Sequence, residues 1–285
     1  MLGHVLLRCL SMSTALDVYA TSRNTSEVSK YFPPELAGMF WKENVIANDF
    51  DTVAGALDSI RPDVVVNCIG IIKQLPIAND PLTAITVNAL FPHLLALKCR
   101  DVEARMIHIS TDCVFDGRKG MYVEEDVPTP DDLYGRTKLL GEVDYPHCVT
   151  LRTSMIGHEL KSSYGLIEWF LSQTDKVRGY RKVIYSGFPT IELARVIRDR
   201  VIPDIRLTGV YHVASEPVSK FDLLRMVEEK YGKKTIIEPY DDLMLDRSMR
   251  SERFRETTGY MPPSWSELID AMHEDYEAHR EQYDR

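Results

Sequence analysis

A tyrosine and a lysine four residues apart carry the first chemical signal. Y-G-R-T-K at 134–138 puts Tyr134 and Lys138 on one face of a helix. A phenol of pKa about 10 is a weak acid at neutral pH, and an ammonium beside it favours the phenolate. So placed, Tyr134 can hand a proton to a carbonyl oxygen. The pair alone also suits an ordinary solvated helix, and its context is what gives it weight. Upstream, S-T-D-C-V-F-D-G (110–117) closes an apolar run, so that Ser110 or Thr111 falls where the carboxyl ends of parallel strands gather ligands. A hydroxyl there can hold the oxygen that Tyr134 protonates, although either residue alone also suits a turn or a cap.

The elements that must position these groups alternate. Strands are expected at Leu16 to Ala20, Pro62 to Gly70, Ala104 to Phe115 and Cys148 to Met155. Helices are expected at Leu2 to Ser11, Thr52 to Ile60, Thr83 to Cys99 and Tyr134 to Val143. This rhythm predicts an α/β chain with a Rossmann-type, doubly wound parallel sheet. Residues 1–155 would form an NAD(P)-binding core, and 156–285 mainly a smaller substrate-binding region with some segments returning to the core. That second part should include a strand at Gly209 to Ala214, a helix at Phe221 to Tyr231, and an acidic helix from the N-cap Ser264 to about Tyr283.

The opening M-L-G-H-V-L-L departs from the pattern. A dinucleotide fingerprint needs a strand, G-x-x-G-x-x-G and then a helix, because the glycines let backbone approach the pyrophosphate. Gly3 matches the third glycine, whereas the first strand and two glycines are missing. The expectation is an N-terminally incomplete core lacking roughly ten residues of strand and loop, weak in dinucleotide binding and in stability. After the second strand an acidic residue would accept a ribose 2′-OH and an arginine a 2′-phosphate. T-S-R-N places Ser22 and Arg23 there, which favours NADPH and leaves NADH open.

Composition limits the partners. With 34 Lys+Arg against 43 Asp+Glu, a net charge of −9 and no broad basic face, nucleic acid is not expected. No apolar run reaches the roughly 18 residues of a membrane span, and no signal peptide is visible, so no membrane and a cytoplasmic location are expected. The five cysteines (Cys9, Cys68, Cys99, Cys113, Cys148) lack C-x-x-C spacing and read as reduced, mostly buried thiols. The eight histidines show no ligand spacing, and no metal is assigned.

Several motifs together resemble the extended short-chain dehydrogenase/reductases, specifically the dTDP-4-dehydrorhamnose reductase-like sugar-nucleotide reductases. They are S-T-D-C-V-F-D-G (110–117), D-L-Y-G-R-T-K-L-L-G-E (132–142), V-V-N-C-I-G (65–70), V-N-A-L-F-P (87–92), L-R-T-S (151–154), Y-S-G-F-P-T (185–190) and G-V-Y-H-V-A-S (209–215). The resemblance implies a catalytic trio of Thr111, Tyr134 and Lys138, with Lys138 also on the nicotinamide ribose. It implies that Asn67, Cys68, Ile69 and Gly70 line the cofactor, that Arg152, Thr153 and Ser154 follow the next strand beside the nicotinamide, and that Ser110 and Ser154 face the substrate. Asp112-Cys113 departs from the commoner Asp-Tyr. It also lacks the Asp-Glu that follows Thr in the related 4,6-dehydratases, which argues against dehydration.

The implied reaction is NADPH-dependent reduction of the 4-keto group of a nucleotide-linked 6-deoxy sugar, for surface polysaccharide biosynthesis. For the diphosphate, D-R-S-M-R-S-E-R-F-R (246–255) offers Arg247, Arg250, Arg253 and Arg255, of which one or two would clamp phosphate oxygens. A 4-epimerase, which uses the same Tyr and Lys and retains its dinucleotide, stays open. So does a non-catalytic dinucleotide-binding subunit, because the chain is also similar to the regulatory subunit of methionine adenosyltransferase. A homodimer is compatible with each.

Overall fold

The computed structural model describes residues 1–283. Four parallel strands form the central sheet in the order β1 (Val64–Asn67), β2 (Arg105–Thr111), β3 (Cys148–Thr153) and β4 (Gly209–His212). β2 from Met106 onward and all of β3 are buried, as strands covered on both faces must be. The registers Asn67↔His108, Thr111↔Thr153 and Arg152↔His212 bring the carboxyl ends of all four strands to one edge. β4 comes from the second part of the chain and completes the sheet, one of the expected returns to the core.

Helices cover both faces of the sheet. On one, α1 (Leu2–Ser11) buries Val5 and Leu6 beside Ile107, Ile109, Val149 and Leu151. On the other, α2 (Phe50–Ile60) and α3 (Pro81–Asp101) bury Val53, Leu57, Leu95 and Cys99 beside Met106 and Cys148. The two clusters take alternate residues of β2, the period-two consequence of a pleated strand. α3 corrects one compositional expectation, since it is long and apolar enough to cross a membrane; half of its most apolar stretch is nevertheless buried within the structure.

The expected strand at Leu16 to Ala20 does not form. Leu16 and Val18 still pack on the same core as Val64 and Val66, and Ala20 makes a single bridge to Phe40. A strand exists only as one side of a ladder, and here its neighbour on the β1 side is lacking. β1 pairs with β2 alone, and Val64, Val65 and Val66 are only partly buried. An apolar strand of five or six residues and a glycine-rich turn, fused ahead of Met1, is therefore expected to pair with this free edge and bury these three side chains further at about 25 cal/mol per Å². Thermal denaturation and NADPH titration should show a gain in both stability and affinity; no change in either would mean that the edge cannot accept a strand.

The remaining elements build the second region. α4 (Leu133–Leu140) stops at Gly141, short of the expected Val143. α5 (Thr190–Val196), α6 (Lys220–Lys230) and α7 (Trp265–Ala278) pack with short strands, including Val183–Tyr185 between Leu245–Asp246 and Val218–Ser219. Ser264 caps α7 as expected, its backbone N–H bonding Glu267 Oε2 at 2.8 Å in a capping box. α7 ends at Ala278 rather than near Tyr283, and a separate turn, Arg280–Tyr283, follows. There Arg8 Nη1 donates to Gln282 Oε1 (2.8 Å) and Nη2 to Tyr283 (3.1 Å), tying the turn to α1. Of the expected second region, residues 284 and 285 lie outside the described residues.

Candidate active site

Two close approaches bring the tyrosine to the threonine. Asp132 caps α4 by accepting the Gly135 N–H at 2.7 Å, which starts the helix one residue before Tyr134. A Cβ on Gly135 would stand 2.2 Å from Cys113 O, so only glycine lets α4 press against the turn Asp112–Val114. Thr111 heads that turn; its Oγ1 accepts the Cys113 N–H (3.1 Å) and donates to Asp112 Oδ1 (3.1 Å). At the far end of α4 a Cβ on Gly141 would lie 1.9 Å from Asn88 O, and the Asn88 amide pins the loop after β1 through both backbone groups of Ile71.

Burial pushes the Tyr134 phenol well above its ordinary pKa, helped by Cys113, Asp112 and Asp132, while the Thr111 hydroxyl works the other way. The expected acidifying effect of Lys138 is not what the structure has. Desolvation of the phenol dominates, and the ammonium is turned to the backbone, Nζ donating to Ile109 O at 2.7 Å. Lys138 Nζ also lies 3.5 Å from His108 Nε2, and His108 Nδ1 lies 3.1 Å from the Asn67 amide. Burial lowers the Lys138 ammonium to about 8. It is charged and able to donate below that pH and loses its charge above it. Dinucleotide affinity, titrated by fluorescence from pH 6.5 to 9.5, is therefore expected to fall as pH rises through about 8, whereas Lys138→Arg, charged throughout, should lack that limb.

The cofactor-lining residues converge on the same edge. Asn67 Oδ1 accepts the Ile69 N–H at 3.0 Å and shapes the turn after β1, leaving Cys68, Ile69 and Gly70 exposed. Burial pushes the Cys68 thiol up to about 12. Gly3, in the first turn of α1, packs against it, since a Cβ there would stand 3.7 Å from that of Cys68. No side chain among the described residues caps α1, which leaves its first-turn amides without a side-chain partner. Ser22 is engaged locally with Asn24, while Arg23 is exposed, with no hydrogen bond or ion pair among the described residues.

Several expected contacts go elsewhere. Ser110 alternates to the opposite face of β2 from Thr111 and donates to Glu142 Oε1 at 2.7 Å. Arg152, expected beside the nicotinamide, forms a buried ion pair with Glu142 (2.7 Å) and lies 3.3 Å from His212 Nε2. Arg250 is half-exposed and paired with Glu252 (2.9 Å); Arg253 pairs with Glu125 and Arg255 with Glu216. Each is drawn off by the nearest carboxylate. Thr153 donates to Ser154 O at 3.3 Å.

Arg247 is buried at the catalytic turn, where Nε donates to Phe115 O (2.8 Å), Nη1 lies 3.7 Å from Cys113 Sγ and Nη2 meets Asp131 (3.3 Å). Sequence reasoning missed His108, Glu142, Asn88, Tyr185 and Lys220. Only the period-two alternation of β2, which puts His108 on the face of Ser110, could have signalled one of them. A cavity of about 340 Å³ lined by Arg100, Arg105 and His147 opens where the strands begin, at the other end of the sheet.

Over 189 residues the chain is 44% identical to dTDP-4-dehydrorhamnose reductase of Mycolicibacterium smegmatis, covering 60% of this chain and 54% of that one. Over 207 residues it is 29% identical to methionine adenosyltransferase 2 subunit beta of Danio rerio, covering 68% and 62%. The chain thus matches less than two thirds of either relative's length. A crystal structure of dTDP-4-dehydrorhamnose reductase from Bacillus anthracis in complex with NADP superposes with a TM-score of 0.72 at 19% identity, covering 88% of this chain and 94% of that one, a likeness of fold. The model of the family described as the RmlD substrate binding domain matches residues 1–278, and the chain belongs to that family.

Proposed function

We propose that the protein is an NADPH-dependent reductase of the 4-keto group of a nucleotide-linked 6-deoxy sugar, working in the cytoplasm to supply surface polysaccharide biosynthesis. The observation that carries it is the meeting of Thr111 and Tyr134 at the carboxyl edge of the sheet, with Lys138 behind them. The residues present fit a nicotinamide dinucleotide at three points: the uncapped first turn of α1 with Gly3, the exposed turn from Cys68 to Gly70 shaped by Asn67, and Arg23, exposed and without a partner among the described residues. Bound there, NADPH would supply the hydride.

Tyr134 gives its proton to the carbonyl oxygen as negative charge develops on it, Thr111 hydrogen-bonds that oxygen, and Lys138 holds the nicotinamide ribose. An epimerase must begin by oxidising an alcohol, with the same residue as a base. The test is NADPH oxidation across nucleotide-linked 4-keto sugars. Stoichiometric consumption with one of them supports reduction; tightly held NAD and interconversion of two sugars without net oxidation would establish the epimerase.

Arg23 should set the cofactor preference, since its guanidinium has only a 2′-phosphate to meet. Arg23→Ala is expected to weaken NADPH and spare NADH, measured as the ratio of kcat/KM values; equal loss with both would make Arg23 structural. The similarity to methionine adenosyltransferase 2 subunit beta supports a second reading, a dinucleotide-binding regulatory subunit. Co-elution with a methionine adenosyltransferase catalytic subunit, together with no turnover of any sugar, would favour it.

A further inference from the structure

Three short strands lie beside the catalytic turn. Val183–Tyr185 runs parallel to Leu245–Asp246 and antiparallel to Val218–Ser219. Tyr185 closes one of them, and Arg247 and Lys220 directly follow the other two. Arg247 touches the turn itself, through Phe115 O and Cys113 Sγ.

Tyr185 is 7% exposed, and its phenol oxygen has no hydrogen-bond partner. Roughly nine in ten buried polar atoms are paired. Among the described residues the one other such orphan is Arg8 Nε, whose guanidinium is bonded through its other nitrogens. The phenol is set close to the backbone of the site, since a Cβ on Gly187 would stand 2.4 Å from its oxygen and 2.1 Å from Ser154 O. Burial raises the phenol most and the Asp112 carboxyl adds to that, while the Ser154 side chain, near it but outside hydrogen-bond geometry, works the other way.

Lys220 opens α6 and is half-buried, with no hydrogen bond or ion pair among the described residues. Burial lowers its ammonium, and the positive charges of Lys73 and Arg247 add to that, against the pull of Asp112 and Cys113. A half-buried cation near two others favours an anion, and the unpaired phenol favours a hydroxyl or ring oxygen. A glycosyl diphosphate carries both.

We propose that Tyr185 and Lys220 hold the glycosyl diphosphate of the substrate, Tyr185 bonding a sugar oxygen and Lys220 a phosphate oxygen, on the side of the Asp112–Val114 turn where Arg247 stands. This rests on the nucleotide-sugar reading above. The test is calorimetric binding of dTDP, UDP and GDP, alone and as 6-deoxy sugar conjugates, to the full chain and to two variants.

Tyr185→Phe should lose roughly tenfold in affinity for the nucleotide sugar, the scale of one hydrogen bond. It should keep its affinity for the bare nucleoside diphosphate and for NADPH, and its melting temperature should not fall, because the oxygen removed has no partner in the protein. Lys220→Met should weaken sugar conjugate and bare diphosphate alike. Wild-type affinity for the conjugate in Tyr185→Phe, or weaker NADPH binding by it, overturns the proposal. Hydride transfer with unchanged KM in both variants overturns it and leaves the reductase standing. Conjugate binding by the wild type without hydride transfer, weakened as stated in the variants, supports it and overturns the reduction. No binding of any conjugate overturns both.

Discussion

Tyr134→Phe is expected to lower kcat by about 10²- to 10⁴-fold while leaving NADPH affinity nearly unchanged, the usual worth of a positioned general acid. The substitution removes one oxygen and keeps the ring, so α4 and its packing on the Asp112–Val114 turn should persist. The phenol is held protonated by burial, and Thr111 is the hydroxyl that opposes that shift. With the acid gone, Thr111 can still orient the carbonyl oxygen but cannot replace the proton it needs. Single-turnover kinetics at saturating NADPH would report the chemical step directly; a near-normal rate would exclude Tyr134 as the donor.

The largest expected loss of stability lies below the site. Arg152 and Glu142 are almost completely buried, joined at 2.7 Å, with Ser110 and His212 bonded to the same pair. Arg152→Ala leaves the Glu142 charge buried without its cation, a change that typically costs about 3–5 kcal/mol. Urea denaturation should show it as a lowered midpoint. Replacing both, as in Arg152→Met with Glu142→Leu, should cost less than Arg152→Ala alone, because no uncompensated charge remains. A double variant worse than the single one would mean that the hydrogen bonds to Ser110 and His212 matter more than the buried charge.

Which part of this was legible beforehand follows from the range of each interaction. The α/β alternation, the helix Leu2–Ser11, the existence of the strands Val64–Asn67 and Arg105–Thr111, which were expected to run on to Gly70 and Phe115, and the Ser264 cap are local: hydrophobic periodicity and capping chemistry are written in neighbouring residues. Tyr134 and Lys138 were readable for the same reason, since four residues make one helical turn. Leu16 to Ala20 has the alternation of a strand and fails to become one, because a ladder needs a partner that local pattern cannot supply.

Long-range placement decided the rest. Arg247 faces the site because the folded chain lays it on Phe115 O and Asp131, more than a hundred residues away in sequence, whereas Arg250 is held by Glu252 two residues on. Ser110 and Thr111 are adjacent in sequence, yet the pleat sends one to Glu142 and the other to the catalytic turn. Tyr185 and Lys220 reached that turn only through a three-stranded sheet assembled from segments about thirty residues apart. By itself the sequence determined residue types, local periodicity and the one-turn spacing of the acid and its lysine. Tertiary structure decided which charges are paired, which hydroxyls are orphaned and how far burial moves a proton, because each depends on atoms that are neighbours only after folding.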